Sequence, residues 1–174
     1  MAMMLNRTMN VNHRLLLILL YTSGVRSGEL LSLKLTDRLL DRHQLKITLG
    51  KGAKDRIVNI PEATVKSIKK YLKKYEPKTY LVEGIYVGRS YSESSLKKVI
   101  DQAVSRAEIE TKVSVHTFRY TYATHQKESG TDLVTLHQQL GHSRISTTMI
   151  YIQLCQTQPR IINHPIKNLN IRRP

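Results

Sequence analysis

Six aliphatic side chains in a row, Leu15 to Leu20, must leave water together, and that requirement constrains the fold more than any other feature. The run is far too short to cross a bilayer, which takes roughly 20 apolar residues. It is not a secretory leader either, because Gly24-Val25-Arg26 stands where a small-residue cleavage site would follow. It therefore reads as a buried helix. Asn12 is placed to cap that helix, which runs to about Tyr21 and stops at Ser23-Gly24. Met1-Ala2-Met3-Met4 reads as a start-site remnant and takes no part in the expected fold.

The remaining elements follow from periodicity. A second helix starts near Arg26, with Leu30, Leu31 and Leu33 apolar. Gln44 to Leu49 and Arg56 to Ile60 alternate polar and apolar around the turn Gly50 to Asp55, which makes a β hairpin. Pro61 opens a helix with Val65, Ile68, Leu72 and Tyr75 on one face, and Glu76-Pro77 breaks it. Its five lysines, at 66, 69, 70, 73 and 74, form the solvated side. Tyr80 to Val87 is expected to be a short strand or extended segment. Ser92 or Ser94 begins a helix that buries Leu96, Val99, Ile100, Ala103 and Ala107. His116 to Glu128 forms the next, ended by Gly130; Thr131 or Asp132 caps one reaching Leu140, and Gly141 ends it. A last helical stretch carries Tyr151. Gln156 to Pro174 holds three prolines and no periodic face, so it reads as an extension of a domain spanning 8–155. The fold class is mainly α with a small β hairpin or sheet (α+β).

Charge narrows the partner. Lys and Arg total 28 against 13 Asp and Glu, a formal net charge of +15. Polyanions are attracted by such a field, nucleic acid first and an anionic membrane surface second. The 40% hydrophobic content argues against a disordered basic tail, and Trp 0 with Phe 1 argues against a membrane-binding amphipathic helix. The lone cysteine, Cys155, excludes an internal disulfide and a zinc site of several thiolates, as suits a reducing compartment.

Several chemistries are missing from the sequence. Gly50-Lys51-Gly52 lies in a hairpin rather than opening a helix, so it is not a nucleotide-binding loop. Neither paired carboxylates for a metal nuclease nor His-Glu-x-x-His nor a nucleophile elbow is present. Phosphate chemistry here would use no metal and no cofactor, with Arg, Lys and His neutralising the charge. Candidates are Arg26 at a helix start, Lys51 at the hairpin tip, His116 and Arg119 three apart on one helix face, His142 in a turn, and Tyr151. Deprotonated and held among cations, a tyrosine can attack phosphorus.

With these phrases in this order the chain resembles the catalytic domain of the tyrosine recombinases, the phage-integrase and Xer-like family. The matching segments are Thr22 to Leu33, Gly50 to Pro61, His116 to His125, Thr131 to Ser143, and Thr147 to Tyr151, within roughly 11–155. The resemblance implies site-specific recombination of double-stranded DNA by a homo-oligomer, a tetramer on paired sites, in the cytoplasm and off the membrane. It implies that Arg26 and Arg119 clamp the scissile phosphate and that Lys51 protonates the departing 5′ oxygen. His116 and His142 would hydrogen-bond the phosphate, His116 also being placed to take the tyrosine proton. Tyr151 would form a 3′-phosphotyrosine, and Glu29 would support the site without reacting. The segment 156–174 would dock on a neighbouring protomer.

Two departures stand out: Tyr120 follows Arg119 where many members carry a histidine, and no DNA-clamping domain is recognisable ahead of the matching region. The isolated chain is accordingly expected to bind DNA weakly. Two other readings remain at this point, a type IB topoisomerase-like relaxing enzyme and a non-catalytic basic DNA-binding module. Tyr120 and Tyr122 are read as packing or phosphate-contacting groups. His13, His43, His125, His137 and His164 receive no role beyond a possible buttress at His125.

Overall fold

The computed structural model describes residues 1–48, 55–142 and 144–153, the last four by their backbone. The apolar run becomes the axis of the molecule. It lies in α2, Val11–Ser23, where Leu15, Leu16, Leu17, Leu19 and Leu20 are all buried. The cap is Asn10 rather than Asn12: its Oδ1 accepts from the backbone N–H of Asn12 and His13 at 2.9 and 3.1 Å. Asn12 turns inward instead, and its Nδ2 donates to the Glu83 carbonyl at 3.1 Å. The helix runs two residues past Tyr21, and Gly24 closes it at φ 60°.

Four helices pack around α2: α1 (Ala2–Arg7), α4 (Glu62–Tyr75), α5 (Glu93–Arg106) and α6 (Val115–Glu128). The opening residues are part of the fold, contrary to the sequence expectation, because α1 buries Met4 against the main core. Arg7 fastens it, with Nη1 donating to the Arg106 carbonyl and to Glu108 Oε1, both at 2.7 Å. α4 buries Val65, Ile68 and Tyr71 and exposes all five of its lysines. Tyr75, expected in the core, is displaced to the surface and stacks on Tyr71 at 5.0 Å.

The hairpin strands are β2 (Gln44–Ile47) and β3 (Arg56–Asn59), antiparallel, with Ile47 opposite Arg56. A two-residue strand β1, Arg38–Leu39, adds to the far edge of β2, so among the described residues the sheet has three strands. Leu45, Ile47 and Val58 face the core. The segment Tyr80–Val87 forms no continuous strand, only single bridges from Lys34 to Tyr80 and from Glu83 to Ser90. A side chain replaces the ladder there. The buried Glu83 carboxylate accepts from the N–H groups of Lys78, Thr79, Tyr80 and Gly88, satisfying donors that a strand would have paired.

Elements from both ends of the chain build the site. α3 (Ser27–Ser32) begins three residues after Gly24, α7 (Leu133–Leu140) is capped by Asp132, and α8 is Ile145–Gln153. Among the described residues no helix is long and apolar enough to cross a membrane. The mainly helical architecture with a small sheet agrees with the sequence.

Candidate active site

α7 ends at Leu140, and Gly141 at φ 63° turns the chain away. The last carbonyls of a helix lack intrahelical partners and carry the negative end of its dipole. Three guanidiniums gather on three successive carbonyls at this end. Arg56 Nε donates to the Gln139 carbonyl at 2.9 Å, Arg119 Nη2 to Leu140 at 2.6 Å, and Arg26 Nη2 to Gly141 at 3.2 Å. The arginines come from β3, from α6 and from the start of α3, so this helix end ties three elements together.

Their depths differ. Arg119 is only 2% exposed and also donates through Nη1 to the Gly24 carbonyl at 2.5 Å. Arg26 keeps 41% of its side chain in solvent, where a ligand can reach it. Glu29 lies among them: it holds Arg56 through both carboxylate oxygens, takes Arg26 Nη1 at 2.8 Å, and accepts the Arg26 backbone N–H at 2.8 Å. Burial alone would raise this carboxyl. The hydrogen bonds from Arg56 and Arg26 reverse that and hold it at about 2. One carboxylate among three guanidiniums leaves the cluster net positive, as suits a bound anion.

His142 follows Gly141 directly and is 8% exposed. Burial and then the charges of Arg119, Arg26, His137 and Arg56 push it down to about 4, so its imidazole is neutral at pH 7. Its Nδ1 lies 2.8 Å from Thr148 Oγ1 on α8. Tyr151 stands on the same helix three residues further on. The structure therefore brings Arg26, Arg119 and His142 into one cluster. His116 is exposed in the first turn of α6, on the rim of an apolar groove that it shares with Ser27, Leu96 and Ile100. Lys51 lies outside the described residues, as do Cys155 and the extension 156–174.

Tyr122 belongs to the packing. It is buried under Gly24, and burial raises its phenol despite the opposing charges of Arg119 and Arg56. His125 is engaged by Tyr21, whose hydroxyl lies 2.8 Å from its Nδ1. Three residues at the cluster had no role in the sequence reading: Arg56, His137 and Thr148. Arg56 did carry a signal, because the alternation of β3 puts it on the inward side with Val58 and turns Ile57 outward. Among the described residues no group of three His, Cys, Asp or Glu is arranged to hold a metal ion.

Residues 1–158 match the phage integrase family. A tyrosine recombinase of Thermosipho africanus is 34% identical over 141 residues, 80% of this chain and 49% of that protein. Tyrosine recombinase XerD of Staphylococcus aureus is 33% identical over 162 residues, 90% of this chain and 55% of XerD. The chain thus spans about half the length of these relatives. In three dimensions it resembles the XerA recombinase with a TM-score of 0.79 at 29% identity, over 91% of this chain and 63% of XerA. It resembles XerH, solved bound to its difH substrate in a pre-cleavage complex, with a TM-score of 0.74 at 25% identity, over 87% of this chain and 47% of XerH.

Proposed function

The chain belongs to the phage integrase family, and from that premise we propose that it cuts and rejoins DNA as a tyrosine-type site-specific recombinase. The observation that carries this reading is the net-positive arginine cluster on the carbonyls of residues 139–141, with a buried neutral imidazole next in the chain. Such a site neutralises a phosphodiester with donors already fixed in place. Arg26 and Arg119 are the phosphate clamps, because a planar guanidinium can give a phosphate two parallel hydrogen bonds. His142 gives a further hydrogen bond, and His116, at the rim, meets the strand and receives the tyrosine proton.

The step balances without cofactor or metal. The Tyr151 phenolate oxygen forms a bond to phosphorus, and the bond from phosphorus to the 5′ oxygen breaks. Lys51 supplies the proton that the departing 5′ oxygen needs. The resulting 3′-phosphotyrosine conserves the ester bond, so a second 5′ hydroxyl can reverse the step and join a new strand. The acting form is a tetramer on paired duplex sites in the cytoplasm, with 8–155 as the catalytic domain and 156–174 docking on a neighbouring copy. Truncation after Gln156 should then weaken assembly on paired sites far more than binding to one site.

The test is a nicked suicide duplex taken from the native genomic flanks. The wild-type chain should become covalently attached, whereas Tyr151→Phe should bind the duplex and form no adduct. Adducts that persist in Tyr151→Phe and map to another tyrosine would remove Tyr151 from the role. Relaxation of a single plasmid without exchange between two sites would point to a topoisomerase instead.

A further inference from the structure

Thr148 sits between two imidazoles. Its Oγ1 lies 2.8 Å from His142 Nδ1 and 3.2 Å from His137 Nδ1, and the residue is 0% exposed. The rings are tilted at 58° with centroids 6.5 Å apart, so the hydroxyl rather than stacking links them. A threonine hydroxyl has one proton to give and two lone pairs with which to accept. It can therefore donate to only one of the two rings.

The direction follows from what His142 has to do. A neutral imidazole carries its proton on one nitrogen and accepts on the other. A phosphate oxygen only accepts in this setting, so His142 can serve it only with the proton on Nε2. Nδ1 is then an acceptor, and among the described residues the Thr148 hydroxyl is a donor within reach of it. Once that proton is given, the Thr148 oxygen is left to accept from His137 Nδ1–H. The opposite direction would put the His142 proton on Nδ1 and turn a lone pair toward the anion.

We propose that Thr148 is a positioning residue whose hydroxyl donates to His142 Nδ1 and thereby fixes the imidazole in its Nε2–H form, with His137 donating to Thr148 in turn. The inference rests on the reading of His142 as a phosphate donor. It adds a mechanical link, because Thr148 lies one helical turn before Tyr151 on α8. The hydroxyl that sets the His142 tautomer also pins the helix carrying the nucleophile to the end of α7.

Two substitutions in the full chain separate hydroxyl from shape. Thr148→Val keeps the branched volume and loses the donor, and Thr148→Ser keeps the donor. Ring nitrogen chemical shifts of His142, measured by NMR without DNA, report which nitrogen carries the proton. The wild type and Thr148→Ser should show Nε2–H, and Thr148→Val should shift toward Nδ1–H. In single-turnover cleavage of the suicide duplex, Thr148→Val should lose about 10- to 100-fold, by analogy with the partners that orient metal-bound imidazoles. Thr148→Ser should recover most of that loss, and duplex binding should be unchanged in both. Three results would overturn the proposal: Nδ1–H in wild-type His142, cleavage by Thr148→Val at the wild-type rate, or equal loss in Thr148→Ser. A wild-type chain that cleaves nothing would instead sink the recombinase reading. The tautomer, read on wild-type protein alone, would still judge Thr148.

Discussion

Arg56 and Glu29 face each other as a two-point ion pair, Nη1 to Oε1 at 2.9 Å and Nη2 to Oε2 at 2.8 Å, with side chains only 9% and 5% exposed. Removing one partner of such a pair leaves the other buried and uncompensated, at a cost of about 3–5 kcal/mol. Because Arg56 also holds the Gln139 carbonyl and Glu29 also holds Arg26, the pair joins β3, α3 and the end of α7. It acts as the frame on which Arg26 and the end of α7 are mounted.

The frame predicts a pH dependence of stability. The Glu29 carboxyl drops from 4.5 to about 2 on folding, so the unfolded chain takes up its proton first as the pH falls. The stabilisation is complete above about pH 4.5, is lost progressively between 4.5 and 2, and amounts to about 3 kcal/mol. Glu83 and Asp132 are also lowered and add to acid sensitivity in any variant that keeps them. The test is therefore a difference. Urea unfolding of Glu29→Gln should be weaker at pH 7 and fall less steeply between pH 4.5 and 2 than that of the wild type. Parallel slopes would show that Glu29 does not titrate as described.

The two arginines proposed as phosphate clamps should fail in different ways. Arg26 is partly in water, and its ion pair with Glu29 leaves the Arg56 pair intact, so Arg26→Ala should cost at most about 1 kcal/mol of stability. Its cleavage rate should fall on the order of 10²-fold or more, and Arg26→Lys should restore only part, since an ammonium lacks the forked contact. Arg119→Ala should lose cleavage and stability together, because it strips the buried Gly24 and Leu140 carbonyls of their donors. Thermal melts beside single-turnover rates check this. Equal melting losses in the two variants would contradict the difference in burial.

Lys51 has a chemical test that needs no view of its side chain. A 5′-phosphorothiolate leaves without much help from an acid, so it should restore cleavage to Lys51→Ala while Arg26→Ala stays slow. If Lys54→Ala is the variant rescued, the general acid lies elsewhere in the turn.

Most of the helical scaffold was legible because caps and apolar spacing are local signals. Asp132, the buried face of α5 and the aliphatic run of α2 all sit as the pattern implied. The misses came from longer-range contacts. Asn12 looked like a cap, but the Glu83 carbonyl, 71 residues away, gave its amide a buried partner. Met4 looked dispensable until α5 covered it. At the site, Arg26, Arg119 and His142 were legible through the family's phrasing. Arg56, His137 and Thr148 were not, because their meaning lies in where the end of α7 meets β3 and α8. A hydroxyl between two rings has no one-dimensional signature.

Gly24 should be the least replaceable glycine at the site. It adopts φ 60°, which strains any residue with a Cβ, and an added Cβ would lie 2.4 Å from Tyr122 Cδ1. The left-handed conformation alone costs an L-residue roughly 1–2 kcal/mol. The clash adds to this, because Tyr122 is packed with Leu136 and Leu140 and has little room to retreat. Gly24→Ala must then shift either the ring or the turn, and the turn carries the carbonyl that holds Arg119. Cleavage should therefore fall along with stability. The double variant Gly24→Ala/Tyr122→Leu separates the two causes: it removes the ring and should regain the clash component, while the backbone strain remains. If the double variant is no more stable than the sum of its single changes, the ring is not what excludes a side chain at position 24.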